Sequence, residues 1–251
     1  MKYKKQALTF EMQADKLLER GLVADRATLI KRLSMVNYYR LSAYWHPFRI
    51  SNDPNDRLIA GTTLDVVWEH YVFDRQLRLI IIDAIERAEV AVRTQLVNLH
   101  ALEYGPFGYL LKSTLPGITI DNHQRLLDRL HTEEKNSRET YVAHYRSKYD
   151  NEIALPLWIA CELMTFGNLF TLFTGLKTKH KKTLAKRYGL NVPVFGSWLK
   201  TLNQVRNLCA HHARIWNRVY GIQAIIPSRQ PNNIWTAPDN WIESPVWNDL
   251  P

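Results

Sequence analysis

Apolar side chains recur three and four positions apart along most of this chain, the spacing that lines one face of an α-helix. The longest such stretch runs from Thr63 to about Glu103. Leu64, Val67, Trp68, Tyr71 and Val72 begin a stripe that Ile82, Ile85, Val92, Leu96 and Leu99 continue, and Gly105-Pro106 ends it. Upstream, the pattern predicts a helix over 9–20, with Thr9 as N-cap and Gly21 as its stop. A second helix follows Asp25 and carries Ala27, Ile30, Leu33 and Val36; a short aromatic piece, NYYRLSAYWHPFR, then stops near Pro47. The run SNDPND, 51–56, reads as a loop. Downstream come two polar helices, about 121–135 and 137–149, and an apolar helix opening at Pro156 through PLWIACELMTFGNLFTLF. A short basic helix follows at 178–188, and a last long helix opens at Pro193 and runs to about Tyr220.

These elements predict an all-α, bundle-like protein. Residues 1–60 form an N-terminal helical region and 61–220 a main helical domain. The tail, 221–251, holds five prolines and three of the eight tryptophans, so it is expected to be non-helical and to dock on the body.

Composition narrows the partners. With 251 residues, 46% of them hydrophobic, the chain can bury a core. Its net charge of +9 suits a polyanion, nucleic acid first and an anionic membrane surface second. No apolar run is long enough to span a bilayer, and none follows the charged N-terminus as in a signal peptide. The two cysteines, Cys161 and Cys209, form no C-x-x-C pair, which argues against a zinc ribbon or a disulfide scaffold. A cytoplasmic protein without metal or cofactor is expected.

The candidate chemistry lies in RNLCAHHARIWNR, 206–218. Wound as a helix at roughly 100° per residue, this segment places Phe195, Trp198, Val205, Cys209 and Trp216 on the core side with Leu202. Asn203, Asn207, His211, Arg214 and Arg218 fall on the far side. Arg206 sits on the flank of the core face, roughly 40° from Leu202, and His211 lies roughly 140° further round. A solvated face accounts for His211, Arg214 and Arg218. Arg206 needs a partner, either a structural salt bridge or a ligand.

Arg206 to His211, R-N-L-C-A-H, resembles the R-x4-H motif of HEPN-domain ribonucleases, including the polar residue after the arginine. The wider stretch WLKTLNQVRNLCAHHARIWNR is similar to the C-terminal signature of the Abi-like (AbiD/AbiF type) abortive-infection family. So are NYYRLSAYWHPF at 37–48, FDRQLRLIIIDAIERAEVAVRTQ at 73–95 and LPLWIACELMTFGNLF at 155–170, in family order. The resemblance implies a HEPN-like helical domain and a homodimer that pools one motif from each subunit. It also implies metal-independent cleavage of RNA by 2′-OH attack, giving 2′,3′-cyclic phosphate ends, under the control of a partner RNA or protein. Arg206 would bind the phosphate, His211 would act as general base or acid, and Asn207 would orient one of them. His212 is the rival histidine. One straight helix cannot aim Arg206 and His211 at a single phosphate; two facing copies could, and so could a bend at the helix end.

Two carboxylates fall on apolar stripes, Glu89 and Glu162. Either would brace Arg206 or a histidine, or Glu89 would simply pair with Arg93 one turn on. The segment KTKHKKTLAKR carries Lys177, Lys179, Lys181, Lys182, Lys186 and Arg187 without an acid. With Arg214 and Arg218 it is the candidate RNA-backbone surface, against the alternative of an ordinary solvated helix. Two non-catalytic readings stay open: an RNA-binding module, and a protein-interaction regulator using the tail tryptophans.

Overall fold

The structure is a computed structural model and describes residues 6–226. The described residues form ten α-helices, and the only β pairing among them is two isolated bridges, so the protein is all-α. The chain packs as two compact units. Of the described residues, the first comprises 6–80 together with His211–Arg218; the second comprises Ile81–Ala210 and 219–226. This partition by packing differs from the boundary at residue 60 that the loop pattern suggested.

In the first unit, α1 (Phe10–Glu19), α2 (Arg26–Met35) and α3 (Tyr38–Trp45) precede the start of α4 (Leu64–Tyr104). Each short helix begins at a side chain that accepts an otherwise unpaired backbone N–H: Thr9 from Met12, Asp25 from Thr28 and Asn37 from Tyr39. Gly21 ends the first of them at φ +93°, where a side chain would be strained. The core is built from Leu17, Leu29, Leu33, Leu41, Tyr44, Trp45, Leu64 and Val67, with Trp216 packed against it. In the 46–63 connection, Arg20 and Arg49 both pair with Asp56.

The second unit holds the rest of α4 with α5 (Ile120–Asn136), α6 (Thr140–Lys148), α7 (Leu157–Ala160), α8 (Phe166–Gly175), α9 (Thr178–Arg187) and α10 (Val192–Ala210). Leu96, Leu126, Leu157, Phe166, Leu169, Leu172, Phe173, Leu184, Phe195 and Leu199 fill its core. The Phe195 ring meets Phe173 edge-on at 5.3 Å and stacks on Tyr188 at 5.1 Å. Gly117 is required where it stands: a Cβ there would lie 2.2 Å from the Thr174 carbonyl oxygen.

Two sequence expectations are corrected. The apolar stretch after Pro156 is not one helix. It passes from α7 through a 3-10 turn, Cys161–Leu163, to an extended Met164, and α8 restarts with Thr165 as N-cap over the Asn168 N–H. The hydrophobic period continues across this break because both pieces face the same core, so periodicity alone could not show it. The last helix ends at Ala210, about ten residues before the expected Tyr220. His212 takes the left-handed conformation at φ +56° and Asn217 at φ +47°, so 211–220 is turn rather than helix. The tail's expected docking falls mostly outside the described residues. Its first part returns to α10, where Ile225 accepts from Trp198 Nε1 at 3.2 Å and donates to Ser197 Oγ at 2.9 Å.

Candidate functional site

Arg206 lies in the last turn but one of α10, on the second unit. Its side chain is 38% exposed, and its Nε stands 3.9 Å from Glu89 Oε2, an ion pair beyond hydrogen-bond range. Glu89 itself is buried on α4 and accepts a 2.7 Å hydrogen bond from Arg93. Arg93 also donates to the Met164 carbonyl at 2.9 Å and reaches Glu162 at 3.5 Å. The break between α7 and α8 supplies this carbonyl: Met164 is extended, so its oxygen is not used inside a helix. Burial pushes the Glu89 carboxyl above the usual range, while Arg93 and Arg206 oppose that rise.

A groove of about 390 Å³ opens over this cluster, lined by Ile82, Glu86, Glu89, Val90, Arg93, Glu162, Met164 and Arg206. The expected local pair, Glu89 with Arg93, is present, and so is the approach of Glu89 to Arg206. Two guanidiniums share one buried carboxylate, with Glu162 beside Arg93 and Glu86 also on the groove wall, and the Arg206 side chain stays partly exposed. Asn207, next in the chain, is exposed.

His211 and His212 belong to the first unit and are both exposed. The chain that carries them is fixed from behind. Asp74, with no exposed surface, accepts the backbone N–H groups of Ile215 at 3.0 Å and Trp216 at 2.7 Å. It also accepts the Tyr44 hydroxyl and the Arg78 guanidinium, and Arg78 donates to the Ala213 carbonyl at 3.3 Å. Arg40 donates to the His212 carbonyl, and Arg214 to that of Ala43 at 3.1 Å. Burial, with the hydrogen bond to Asp74, pushes the Tyr44 hydroxyl up to about 12. Asp74, Arg78 and Tyr44 were not singled out from the sequence, although the spacing of Asp74 and Arg78, one helical turn apart, is the signal of an ion pair.

The basic segment divides. Lys177, Lys179 and His180 all surround Glu103, whose carboxyl is held down to about 2, chiefly by Lys179 and Tyr104. Lys181 donates to the Thr174 carbonyl at 2.6 Å, and burial lowers its ammonium. Lys182, Lys186 and Arg187 point outward as an exposed trio on α9. Arg214 and Arg218 do not share a helix face with His211, because the helix has already ended; Arg214 is engaged with Ala43, and Arg218 is exposed and donates to the Arg214 carbonyl.

Among the described residues, no three His, Cys, Asp or Glu side chains gather in a way that could hold a metal ion, and no helix is long and apolar enough to cross a membrane. What these features define is an all-α protein with an accessible guanidinium on a buried carboxylate and a histidine pair on an anchored turn. The chain belongs to the Abi-like protein family, whose model matches residues 31–217, about three quarters of its length. No curated protein and no solved structure gives a significant match.

Proposed function

We propose that this protein is an endoribonuclease of abortive infection, of HEPN type and of the AbiD/AbiF kind, acting in defence against phage. The observation that carries the reading is the R-x4-H block, Arg206 to His211, in a chain of the Abi-like family, with Arg206 accessible at a groove and already poised on an acid. In the proposed reaction the 2′-oxygen of RNA forms a bond to the adjacent phosphorus, and the bond from phosphorus to the 5′-oxygen breaks. The 2′-OH proton leaves to a base and the 5′-oxygen gains one, so a 2′,3′-cyclic phosphate and a 5′-OH result. His211 exchanges these protons, a task suited to imidazole near neutral pH. Arg206 stabilises the charge that grows on the phosphoryl oxygens, and Asn207 orients the phosphate or the imidazole. Two subunits pool their motifs, and a partner RNA or protein restrains the enzyme.

The test is incubation of the purified protein with RNA in EDTA, beside Arg206→Ala and His211→Ala, with end-group analysis of the products and sizing of the native protein. Cleavage to cyclic phosphate ends by a dimer, lost in both variants, supports the reading. Equal cleavage by all three proteins, or a requirement for added metal, counts against it. A second reading, RNA binding without cleavage, draws on the exposed trio Lys182, Lys186 and Arg187; it expects salt-sensitive binding that His211→Ala leaves unchanged.

A further inference from the structure

A fully buried carboxylate is stable only when its acceptor positions are filled. Asp74 fills them from two directions. Tyr44 and Arg78 meet Oδ2, and the consecutive N–H groups of Ile215 and Trp216 meet Oδ1. The second pair does not belong to a helix or a sheet; it belongs to the turn four residues beyond His211. The same turn is held by Arg78 at the Ala213 carbonyl and by Arg40 at the His212 carbonyl. Backbone groups of His212, Ala213, Ile215 and Trp216 are thus tied down, while His211 itself is exposed.

We infer that Asp74 is a positioning residue for the general acid–base: it fixes the turn from which the His211 imidazole projects, and Tyr44 and Arg78 fix Asp74. The inference rests on the ribonuclease reading and adds a role for residues outside the motif. Asp74 touches no substrate. Its charge balances Arg78, which is 8% exposed, and its two oxygens divide the labour, one facing the side chains and the other the turn. A misplacement of the imidazole by about 1 Å costs on the order of 100-fold in rate without altering how RNA is bound elsewhere.

The experiment compares wild type, Asp74→Asn, Tyr44→Phe and His211→Ala. Cleavage of a labelled single-stranded RNA gives kcat and KM, and hydrogen exchange reports the backbone N–H groups of Ile215 and Trp216. Asp74→Asn is expected to lower kcat roughly 10- to 100-fold, with KM changed less than about twofold. Tyr44→Phe, which removes one hydroxyl and keeps the ring, gives a smaller fall in the same direction and carries the test should Asp74→Asn not fold. In both variants exchange at 215 and 216 speeds up while α5 in the second unit stays protected. A folded Asp74→Asn with faster exchange and wild-type kcat overturns the inference, as does unchanged exchange at 215 and 216. Should wild type and His211→Ala cleave alike, or not at all, the ribonuclease reading fails and the positioning role falls with it. That pattern is distinct from an active wild type, a silent His211→Ala and a normal Asp74→Asn.

Discussion

Arg206 and Glu89 form an ion pair at 3.9 Å in which the acid is buried and the guanidinium is 38% exposed. The asymmetry predicts costs of different size for the two partners. Arg206→Ala removes a long, partly solvated pair and should cost less than about 1 kcal/mol of stability. Glu89→Gln removes the charge that Arg93 needs and should cost about 2 kcal/mol. Thermal melts measure both; on the proposed function, Arg206→Ala nonetheless abolishes cleavage.

The histidine pair separates by backbone conformation. His212 adopts φ +56°, a region glycine enters freely and other residues enter at a cost of about 1 kcal/mol. His212→Gly should therefore hold or raise the melting temperature, and His212→Val should lower it. His211→Gly should give no such gain. If His211 is the acid–base, cleavage survives the first of these substitutions and not the last.

Acidification should weaken the second unit in a defined window. His100 is fully buried, and burial, then the neighbouring His180, pushes its imidazole down to about 4, against an ordinary value of 6.5. Between those values the unfolded chain binds a proton that the folded one refuses, so the contribution is complete above pH 6.5 and is lost as pH falls to about 4. Glu103, held down to about 2, adds a loss of the same sign below its ordinary value of 4.5. Melting temperature followed from pH 7.5 to 4 should fall through the upper window in wild type, and His100→Gln should flatten that part of the curve.

The outward trio on α9 predicts a salt signature. Lys182, Lys186 and Arg187 replaced together by Ala should weaken RNA binding uniformly across sequences and reduce the slope of log K against log salt by about 2. Lys177 and Lys179, already neutralising Glu103, should contribute less to that slope when replaced.

Most of the fold was legible because its helices carry their own punctuation. Thr9, Asp25 and Gly21 sit where caps and stops were read, and the long stripe from Leu64 to Leu99 falls inside α4. The end of the last helix was hidden: 206–218 contains no proline or glycine, and the turn is held by hydrogen bonds donated to Asp74 and by one from Arg78, both far away in sequence. The helical wheel therefore assigned Trp216 to the wrong partners. Its ring packs with Tyr44 and His70 in the first unit. Arg206 and Glu89 were both marked by polar groups on apolar stripes, whereas Asp74 was not, since nothing local distinguishes a surface Asp-Arg turn from a buried one.

The stop at Ala210 has a genetic consequence. Arg206 and His211 are neighbours in the gene but answer to different hydrophobic cores, the guanidinium to the one that Leu169 and Phe195 fill and the imidazole to the one that Leu33 and Tyr44 fill. Loss-of-function alleles should therefore sort into two clusters, each silencing one half of a six-residue word while leaving its spelling intact.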